Sequence, residues 1–589
     1  MEAQWLAVLM PADGEKEAVK SVHYRWLLVV VAALVVQGLA TACGGGAGEG
    51  SPTAQPTLTP TGTATVQAEA TPTGTAAPTP EPSTLDLATS PPILTVFAAD
   101  AGDLRSDIPA LAVGDFNGDN IGDLLIGARF GDGPGTGTSC DDGQAVGDRC
   151  QAGEAYVIFG SSTLGGTVDI AQNQQNFTIF GAKPGDNLGF SVASGDVNGD
   201  GIDDIVVGAP FSNGPANERT DLGEVYVIFG SSGLGGTVDI AQGQQDVRIT
   251  AAEGFALLGD SLSIDDVNGD GIADIVAGAP FAGRIAGAPV GGPRTETGEV
   301  YVIFGSPTLG GSVSIARDEQ NFTIAGFEQF GELGDSVATG DINGDGIADI
   351  IVAAEAADGP DGSRPNAGVA YVIFGSDALA GKASLADGEQ DLSILGAEPQ
   401  DTLGFSMASG DVNGDGIDDV ILAARLADGP GNARSSAGEV YVIFGSPGLA
   451  GTVDTALGEE NVTIVAANAH HLLGSVASGD LNGDGIDDIV VGTRHAGAVD
   501  LRTLPTGKAY VVLGSPSLDR EIDIARGDQH LTIAGAQAGD GLGAVVRIGD
   551  MNGDGVNELV LIADGADGPE DTRPDAGEVY VVDGYQALR

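Results

Sequence analysis

A nine-residue acidic motif recurs seven times along this chain of 589 residues, and no other feature constrains the fold as strongly. The second copy lies within the stretch "SGDVNGDGIDDIVVGAP", residues 194–210. The copies begin at Asp115, Asp196, Asp266, Asp341, Asp411, Asp480 and Asp550, at intervals of 69–81 residues. Regular repeats of this length are typical of architectures in which one supersecondary unit packs against the next copy of itself.

Each repeat contains short segments that are typical of β-strands. In the second repeat these are "GFSVASGD", "DIVVGAP", "EVYVIFG" and "DVRITAA", which are rich in β-branched residues and bounded by turn residues. Helical periodicity is lacking throughout the repeat. The sequence therefore predicts an all-β fold, a seven-bladed β-propeller of four-stranded blades. A β-solenoid is the competing repeat fold, but its repeats are much shorter.

The N-terminal part of the repeat region predicts how the ring closes. A segment resembling "NFTIFGA" follows each of the first six acidic motifs, but none follows the seventh. The stretch "LTVFAADAGD", residues 94–103, aligns with "FTIFGAKPGD", residues 177–186. We expect an N-terminal strand at about residues 93–98 to complete the seventh blade, which removes an open sheet edge.

The charge balance excludes one class of partner. Acidic residues outnumber Lys and Arg by 84 to 24, so the chain lacks the basic surface that a nucleic acid requires. Disorder does not follow, because 42% of the residues are hydrophobic and recur in patterned blocks. Acidic residues at fixed spacing indicate bound cations instead.

The first 91 residues have the composition of an export signal followed by a tether. Residues 1–43 contain basic residues, an apolar run and the ending "LATAC", which is similar to a bacterial lipobox with Cys43 as the lipidated residue. A single membrane anchor is the alternative. Residues 44–91 are rich in Thr, Pro, Ala and Gly and predict a disordered tether to a propeller at residues 92–589. We expect the propeller to lie on the extracellular side of a bacterial membrane.

Two further cysteines, Cys140 and Cys150, lie in one loop of the first repeat. Outside the cytoplasm such a pair is expected to form a disulfide rather than a metal site, because no His accompanies it.

The acidic motif has the composition of a calcium loop. In "DVNGDGIDD" the side-chain oxygens fall at positions 1, 3, 5 and 9, and glycines at positions 4 and 6 permit a tight turn. Hard oxygen ligands at this density suit Ca²⁺, and the carbonyl of the apolar residue at position 7 is a further candidate ligand. The alternative is that Asp, Asn and Gly only form turns, which seven copies with the same ligand spacing argue against; the first copy departs with Asn120 in place of Gly and the seventh with Glu558 in place of Asp.

The stretch "LGFSVASGDVNGDGIDDIVVGAP" resembles the FG-GAP repeat of integrin α-subunit head domains and related bacterial surface proteins. The resemblance covers residues 92–589 and implies Ca²⁺ in the hairpin between the first and second strands of a blade. Up to seven structural Ca²⁺ ions are expected. The implied ligands are Asp115, Asn117, Asp119, Ile121 and Asp123; Asp196, Asn198, Asp200, Ile202 and Asp204; Asp266, Asn268, Asp270, Ile272 and Asp274; Asp341, Asn343, Asp345, Ile347 and Asp349; Asp411, Asn413, Asp415, Ile417 and Asp419; Asp480, Asn482, Asp484, Ile486 and Asp488; Asp550, Asn552, Asp554, Val556 and Glu558.

The opposite face of the predicted propeller is the candidate binding surface. The loops between second and third strands vary between repeats and hold or adjoin twelve of the 24 Lys and Arg residues. Arg129, Arg425 and Arg494 replace the Pro of Gly-Ala-Pro, and we expect them nearest the central axis as ligand-binding residues. The alternative is that these arginines pair with nearby acidic residues of their own chain.

These features favour a tethered, Ca²⁺-binding adhesion or ligand-recognition module. Its partner is expected to be an extracellular protein or an acidic glycan, and the propeller is expected to be monomeric. Catalytic signatures are lacking, so the chain is not expected to be an enzyme. An extracellular enzyme acting on glycans or phosphoesters, or a surface scaffold without a ligand, are the alternatives.

Overall fold

Seven five-stranded sheets follow one another in the computed structural model of this chain. The structure describes residues 82–588 except 101, 105–109, 135–148, 216–218, 284–295, 360–361 and 498–504. The predicted signal, Cys43, Cys140 and most of the predicted tether therefore lie outside the described residues.

The first two strands of each blade form a hairpin around an acidic motif. The first strands lie at the inner edge of the sheets and are β3 (Leu111–Gly114), β8 (Val192–Gly195), β13 (Leu262–Asp265), β18 (Ser336–Gly340), β23 (Leu403–Gly410), β28 (Ser475–Gly479) and β33 (Leu542–Gly549). The second strands are β4 (Asp123–Ala128), β9 (Asp204–Ala209), β14 (Asp274–Ala279), β19 (Asp349–Ala354), β24 (Asp419–Ala424), β29 (Asp488–Thr493) and β34 (Glu558–Ala563). Every residue of the second strands is buried, because neighbouring blades cover both faces of each sheet.

The next two strands continue each sheet outward in antiparallel order. The third strands are β5 (Glu154–Ile158), β10 (Glu224–Ile228), β15 (Glu299–Ile303), β20 (Val369–Ile373), β25 (Glu439–Ile443), β30 (Lys508–Val512) and β35 (Glu578–Asp583). The fourth strands are β7 (Phe177–Phe180), β12 (Val247–Thr250), β17 (Phe322–Ala325), β22 (Leu392–Leu395), β27 (Val462–Val465), β32 (Leu531–Ala534) and β2 (Leu94–Phe97). The seven predicted blades are thus confirmed.

A fifth, parallel strand at the outer edge of each sheet was not predicted. In blades 1 to 5 and 7 it comes from the connection between third and fourth strands of the following blade: β11 (Gly236–Asp239), β16 (Gly311–Ser314), β21 (Gly381–Ser384), β26 (Gly451–Asp454), β31 (Glu521–Asp523) and β6 (Gly166–Asp169). A single 3₁₀ turn follows each of these strands, at Ile170–Gln172, Ile240–Gln242, Ile315–Arg317, Leu385–Asp387, Thr455–Leu457 and Ile524–Arg526. Further 3₁₀ turns at Pro430–Asn432 and Pro569–Asp571 lie between second and third strands, and a short helix, α1 (Gly584–Ala587), follows β35.

Two N-terminal strands complete the last two blades. The predicted closing strand is β2, which pairs antiparallel with β35, Leu94 opposite Val581. The strand β1 (Ser83–Asp86) pairs parallel with β32 and takes the fifth place of blade 6. The chain therefore enters the propeller about ten residues earlier than the expected boundary at residue 92, within the stretch predicted to be tether.

The hydrophobic core consists of seven clusters, one between each pair of adjacent blades. Successive residues of a strand serve different clusters, so Val206 packs toward blade 3 and Val207 toward blade 1. The innermost strands contact their neighbours around the whole ring, including β33 with β3. Each acidic hairpin is thereby fixed on one face of the ring, and the connections into the inner strands lie on the other.

Candidate functional site

Each acidic motif forms the turn between the first and second strands of its blade. In blade 2 the carboxylate of Asp196 accepts the N–H groups of Gly199, Asp200 and Gly201 at 2.7, 3.0 and 2.7 Å. Gly199 and Gly201 have φ of 74° and 87°, a left-handed conformation that glycine adopts without strain. The residue at position 1 thus holds the turn in shape with its own side chain.

The residue at position 9 points into the blade. Asp204 is fully buried and accepts hydrogen bonds from the N–H groups of Val197 and Gly230 at 3.0 and 2.9 Å and from the Asn198 amide at 3.0 Å. The same three contacts recur in blades 1 to 6, and in blade 7 Glu558 accepts hydrogen bonds from the N–H of Met551 and the amide of Asn552. Burial raises the pKa of these carboxyl groups to about 7 in Asp123, Asp204, Asp274, Asp349, Asp419, Asp488 and Glu558.

The seven turns form a closed ring of backbone hydrogen bonds. The N–H at position 8 of each turn donates to the carbonyl at position 1 of the preceding turn, at 2.9–3.4 Å: Asp203 to Asp115, Ala273 to Asp196, Ala348 to Asp266, Asp418 to Asp341, Asp487 to Asp411, Asn557 to Asp480 and Gly122 to Asp550. The apolar side chain at position 7 also covers the glycine at position 4 of the preceding turn, as Ile272 covers Gly199. Each turn therefore supports the next one.

The ligand atoms that these turns offer are oxygens, the type that Ca²⁺ prefers, although the carboxylates of a turn do not lie together in one group. The Asn at position 3 lies beside the carboxylate at position 9. In blade 2, Nδ2 of Asn198 lies 3.0 Å from Oδ1 of Asp204. The carboxylate at position 5 accepts the N–H at position 7, as Asp200 does from Ile202 at 3.0 Å. Among the described residues no group of three or more His, Cys, Asp or Glu stands at the spacing of a metal centre. The predicted ligands thus share one turn in each blade, with oxygen as their only donor type.

On the opposite face, four arginines of the loops between second and third strands are structural clamps. They form ion pairs with the last Asp of the fifth strand at 2.6–2.7 Å: Arg149 with Asp239, Arg364 with Asp454, Arg434 with Asp523 and Arg573 with Asp169. Each guanidinium also donates to a carbonyl at the end of the fourth strand, as Arg149 does to Gly181. The arginine lowers the pKa of Asp239, Asp454 and Asp523. These charges are therefore neutralised within the chain.

The three candidate ligand-binding arginines also contact their own chain. Arg494 forms an ion pair with Asp564 at 3.0 Å. Arg129 lies over the rings of Phe130 and Phe190, with 4.6 and 5.1 Å to the ring centroids. Arg425 stacks on Phe405 at 4.5 Å, and its positive charge partly opposes the rise that burial causes in the pKa of Glu355. They occupy equivalent places at the ends of the second strands, one strand out from the inner edge, and are held there by the protein itself.

A cluster of carboxyl groups beside these arginines was not predicted. Asp260 and Asp335 stand at the starts of two neighbouring inner strands, and Glu355 follows the second strand of blade 4. Burial raises the pKa of Asp260 and Glu355 to about 7 and that of Asp335 well above its usual range. Oδ2 of Asp335 is buried and accepts no hydrogen bond from the described residues. The cluster occurs in two adjacent blades only, so the repeat pattern gave no signal for it.

Three exposed phenylalanines lie on the connections that lead to Asp260 and Asp335. Phe255, Phe327 and Phe330 are 40%, 51% and 48% exposed and are three of the four large exposed hydrophobic residues in the described part of the chain. Phe255 and Phe330 have φ of 62° and 65°, where an L-residue with a bulky side chain is strained. The equivalent positions hold Gly102, Gly185 and Gly539 in three other connections. The replacement of Gly by Phe was the available sequence signal.

Two other sequence predictions concern the first loop and the membrane. Cys150 is disulfide-bonded, and its predicted partner Cys140 lies outside the described residues. Among the described residues, no helix is long and apolar enough to cross a membrane.

Comparison with known proteins finds the same repeat in each blade. Seven segments match the FG-GAP repeat, over residues 109–158, 188–228, 258–303, 333–373, 403–443, 473–512 and 542–582. Human phosphatidylinositol-glycan-specific phospholipase D is 27% identical over 443 residues, which are 69% of this chain and 47% of that protein. Its rat counterpart is 26% identical over 435 residues, 67% of this chain and 46% of the relative. Integrin alpha pat-2 of Caenorhabditis briggsae is 31% identical over 264 residues, 43% of this chain and 19% of the integrin. The chain thus spans about half the length of the phospholipases it matches.

Proposed function

The chain belongs to the FG-GAP repeat family, and we propose that it is an extracellular recognition module that binds its ligand on the face opposite the acidic turns. One observation carries this proposal: Phe255 and Phe330 are exposed to solvent on that face although their backbone conformation is strained. Neither burial nor backbone geometry favours Phe over the Gly used in other blades. Strain and exposed aromatic surface in the same place are typical of binding sites.

In this proposal the acidic turns have a structural role and do not bind the ligand. Up to seven Ca²⁺ ions would be held by the side chains at positions 1, 3, 5 and 9 and the carbonyl at position 7. A bound cation would offset the repulsion among these carboxylates and stiffen the ring that carries the binding face. Asp123, Asp204 and their equivalents are the residues for which a nearby positive charge matters most, because they are buried.

The contacts on the binding face favour a protein ligand with apolar surface over an acidic glycan. Arg129, Arg425 and Arg494, which the sequence suggested for an anionic partner, already meet aromatic or acidic side chains of the chain itself. Among the described residues of this face, Phe255, Phe327 and Phe330 are exposed to solvent. An apolar patch rimmed by polar groups is typical of protein-binding surfaces.

Export and anchoring remain proposals from the sequence. Residues 1–43 would act as a signal with Cys43 as a lipidation site, and the Thr- and Pro-rich segment after it as the tether. The described chain enters the propeller at Ser83, so the tether would end at the outer edge of blade 6. This placement holds the module at a bacterial surface.

An enzymatic role is the second candidate, and the carboxyl cluster is the observation that favours it. Asp260, Asp335 and Glu355 are buried acidic groups with raised pKa values near the axis, an arrangement suited to general acid–base chemistry. The phospholipase D relatives suggest phosphoester substrates. Turnover of phosphoester or glycoside reporters by the full chain, lost in Glu355→Gln, would favour this role over pure binding.

The test of the recognition proposal uses the full chain on arrays of extracellular matrix proteins and glycans in millimolar Ca²⁺. The double variant Phe255→Gly, Phe330→Gly should lose at least tenfold in signal on any protein that the parent chain binds. Leu457→Ser removes an even more exposed apolar residue at the outer rim and should bind normally. Equal binding by the parent chain and the double variant would overturn the proposal.

A further inference from the structure

The inner strands that surround the central axis carry small side chains at one position, with a single exception. Three residues before each acidic motif stand Ala112, Ala193, Ser263, Ala338, Ala408 and Ala477 in blades 1 to 6. Blade 7 has Arg547 at this position, on β33. Blade 7 therefore carries a long cationic side chain where the other six blades carry Ala or Ser.

The guanidinium of Arg547 bridges the inner edges of blades 7 and 1. Its Nε donates to the carbonyl of Leu111 at 3.1 Å, and Nη1 donates to the carbonyl of Val546 at 2.8 Å. The carbonyl of Ala110 accepts the N–H of Gly127 from the second strand, so the next carbonyl, that of Leu111, points away from the sheet. The inner edge of β3 faces the central axis, so the guanidinium lies there too.

Carbonyl groups at these inner edges do not require a charged donor. In blade 2 the hydroxyl of Ser194 donates to the carbonyl of Val113 at 2.9 Å. The hydroxyl of Ser478 similarly donates to the carbonyl of Ser409 at 2.5 Å. A neutral donor thus satisfies the same kind of group elsewhere in the ring, and the charge of Arg547 serves another purpose.

The positive charge of Arg547 has no carboxylate partner among the described residues, where its hydrogen bonds go to two backbone carbonyls. This is unusual in a chain with 84 acidic and 24 basic residues, in which Arg149, Arg364 and Arg434 are paired on both oxygens of an Asp. Arg547 is partly buried, and this burial lowers its pKa to about 10, because a cation withdrawn from water is disfavoured without a compensating charge. Three of the five N–H donors of the guanidinium remain after the two carbonyl contacts.

We propose that Arg547 holds a small oxyanion at the central axis of the propeller, either a carboxylate or a phosphate- or sulfate-type group. The remaining N–H groups of a guanidinium form a planar fork that matches two oxygens of such an anion. The equivalent positions of the other blades hold small residues such as Ala193 and Ala408, so no second long side chain stands at this position of the inner strands. This site lies apart from Phe255 and Phe330 and does not depend on the proposed recognition of a protein ligand.

The test uses the full chain and measures binding of inorganic phosphate, sulfate and acetate by titration calorimetry, at constant ionic strength with chloride as the background anion. Thermal unfolding provides a second readout, because a ligand that binds the folded state raises the melting temperature. We expect at least one of the three anions to bind, and Arg547→Ala to weaken that binding at least tenfold. This variant copies the Ala of blades 1, 2, 4, 5 and 6, so the fold is expected to accept it.

Two further variants make the result specific. Arg547→Lys keeps the charge but lacks the fork and should bind several-fold more weakly than the parent chain. Arg317→Ala removes a largely exposed arginine and should bind like the parent chain. Binding of acetate alone would identify a carboxylate as the bound group, and binding of phosphate or sulfate would identify a phosphate- or sulfate-type group. Equal binding by Arg547→Ala and the parent chain, or no binding of any of the three anions, would overturn the proposal.

Discussion

The turns on one face of this propeller and the connections on the other come from the same seven repeats, but only the turns have kept nearly the same sequence. Every turn donates a hydrogen bond to its neighbour and covers its neighbour's glycine, so a change in one turn disturbs two blades. The connections end at solvent, and residues as different as Gly185 and Phe330 occupy one position there. The residues that repeat in every blade are thus those that support a neighbouring blade. The residues that depart from the repeat are the candidates for function.

Removal of Ca²⁺ acts on the face with the acidic turns and should have the largest effect on stability. If each turn binds Ca²⁺ with a dissociation constant on the order of 10⁻⁴ M, it would gain about 1–2 kcal/mol in millimolar Ca²⁺, which would amount to about 10 kcal/mol over the ring. We expect the melting temperature of the full chain to fall steeply when a chelator replaces Ca²⁺, with Mg²⁺ at equal concentration as the control. Identical unfolding in Ca²⁺ and chelator would show that the turns hold their shape without ions.

A methyl group added within a turn should show how strongly neighbouring turns depend on each other. Gly199→Ala places a Cβ 3.0 Å from Cδ1 of Ile272 in the next blade, whereas Gly201→Ala meets nothing within 4 Å. Both positions have positive φ, so each variant should lose about 1 kcal/mol from strain, and Gly199→Ala about 1 kcal/mol more from crowding. Denaturant unfolding measures both values. Equal losses would mean that the contact between blades adds nothing.

Breaking one arginine clamp should have a smaller effect. The side chains of Arg434 and Asp523 are 24% and 7% exposed. Arg434→Met removes their ion pair and should lower the free energy of unfolding by about 1–2 kcal/mol. Arg317→Ala breaks a far more exposed pair and should cost less than about 0.5 kcal/mol. Similar losses in the two variants would contradict a structural role for the clamp.

The same clamp predicts a pH dependence. The Arg434 guanidinium lowers the pKa of Asp523, so the pair stabilises the fold above the usual pKa of Asp, about 3.9, and loses this contribution as pH falls through the lower folded value. The stability difference between the parent chain and Arg434→Met should be constant from about pH 5 to 8 and shrink below about pH 4. A difference that stays constant below pH 4 would exclude the ion pair as its cause.

The smallest expected effect has the opposite sign. Phe330→Gly removes a strained residue and should raise the free energy of unfolding by about 0.5–1 kcal/mol, because Gly adopts positive φ freely. The reciprocal variant Gly185→Phe, at a position where an added Cβ meets nothing within 4 Å, should lose a similar amount. Destabilisation by Phe330→Gly would show that the phenyl side chain stabilises the fold by packing against its neighbours. It would weaken the case for Phe330 as a binding residue.

The repeat pattern predicted the ring and its closing strand but not the outer edge of each blade. Spacing of the acidic motif fixed seven blades, and alignment of residues 94–103 found β2. The fifth strands are short segments such as "GTVD", with Gly and an exposed first half, and by themselves they resemble a loop. The stretch "STLDLAT" at residues 83–89 matches "GTVDIAQ" at 166–172, and this comparison would have moved the propeller boundary.

The candidate sites were predictable only where chemistry and repetition coincide. The oxygen-bearing positions of the turns recur with fixed spacing, and the structure places them in one hairpin per blade. Asp260 and Glu355 are distant in sequence and lie near each other because the ring aligns the start of one strand with the end of another. The pairing of Arg434 with Asp523 likewise joins consecutive repeats. Sequence reasoning within one repeat has no access to such contacts.

The double closure by β1 and β2 has a consequence for how the chain reaches its fold. Leu94 pairs with Val581 and Ser83 with Leu531. Because β1 and β2 are synthesised before these partner strands, they stay unpaired until synthesis has reached β32 and β35. Contacts between chain ends carry a high loop-closure entropy and slow folding. Until then blades 6 and 7 have open edges that can pair with other nascent chains. Ring completion is therefore the step at which folding and misassembly compete in this protein.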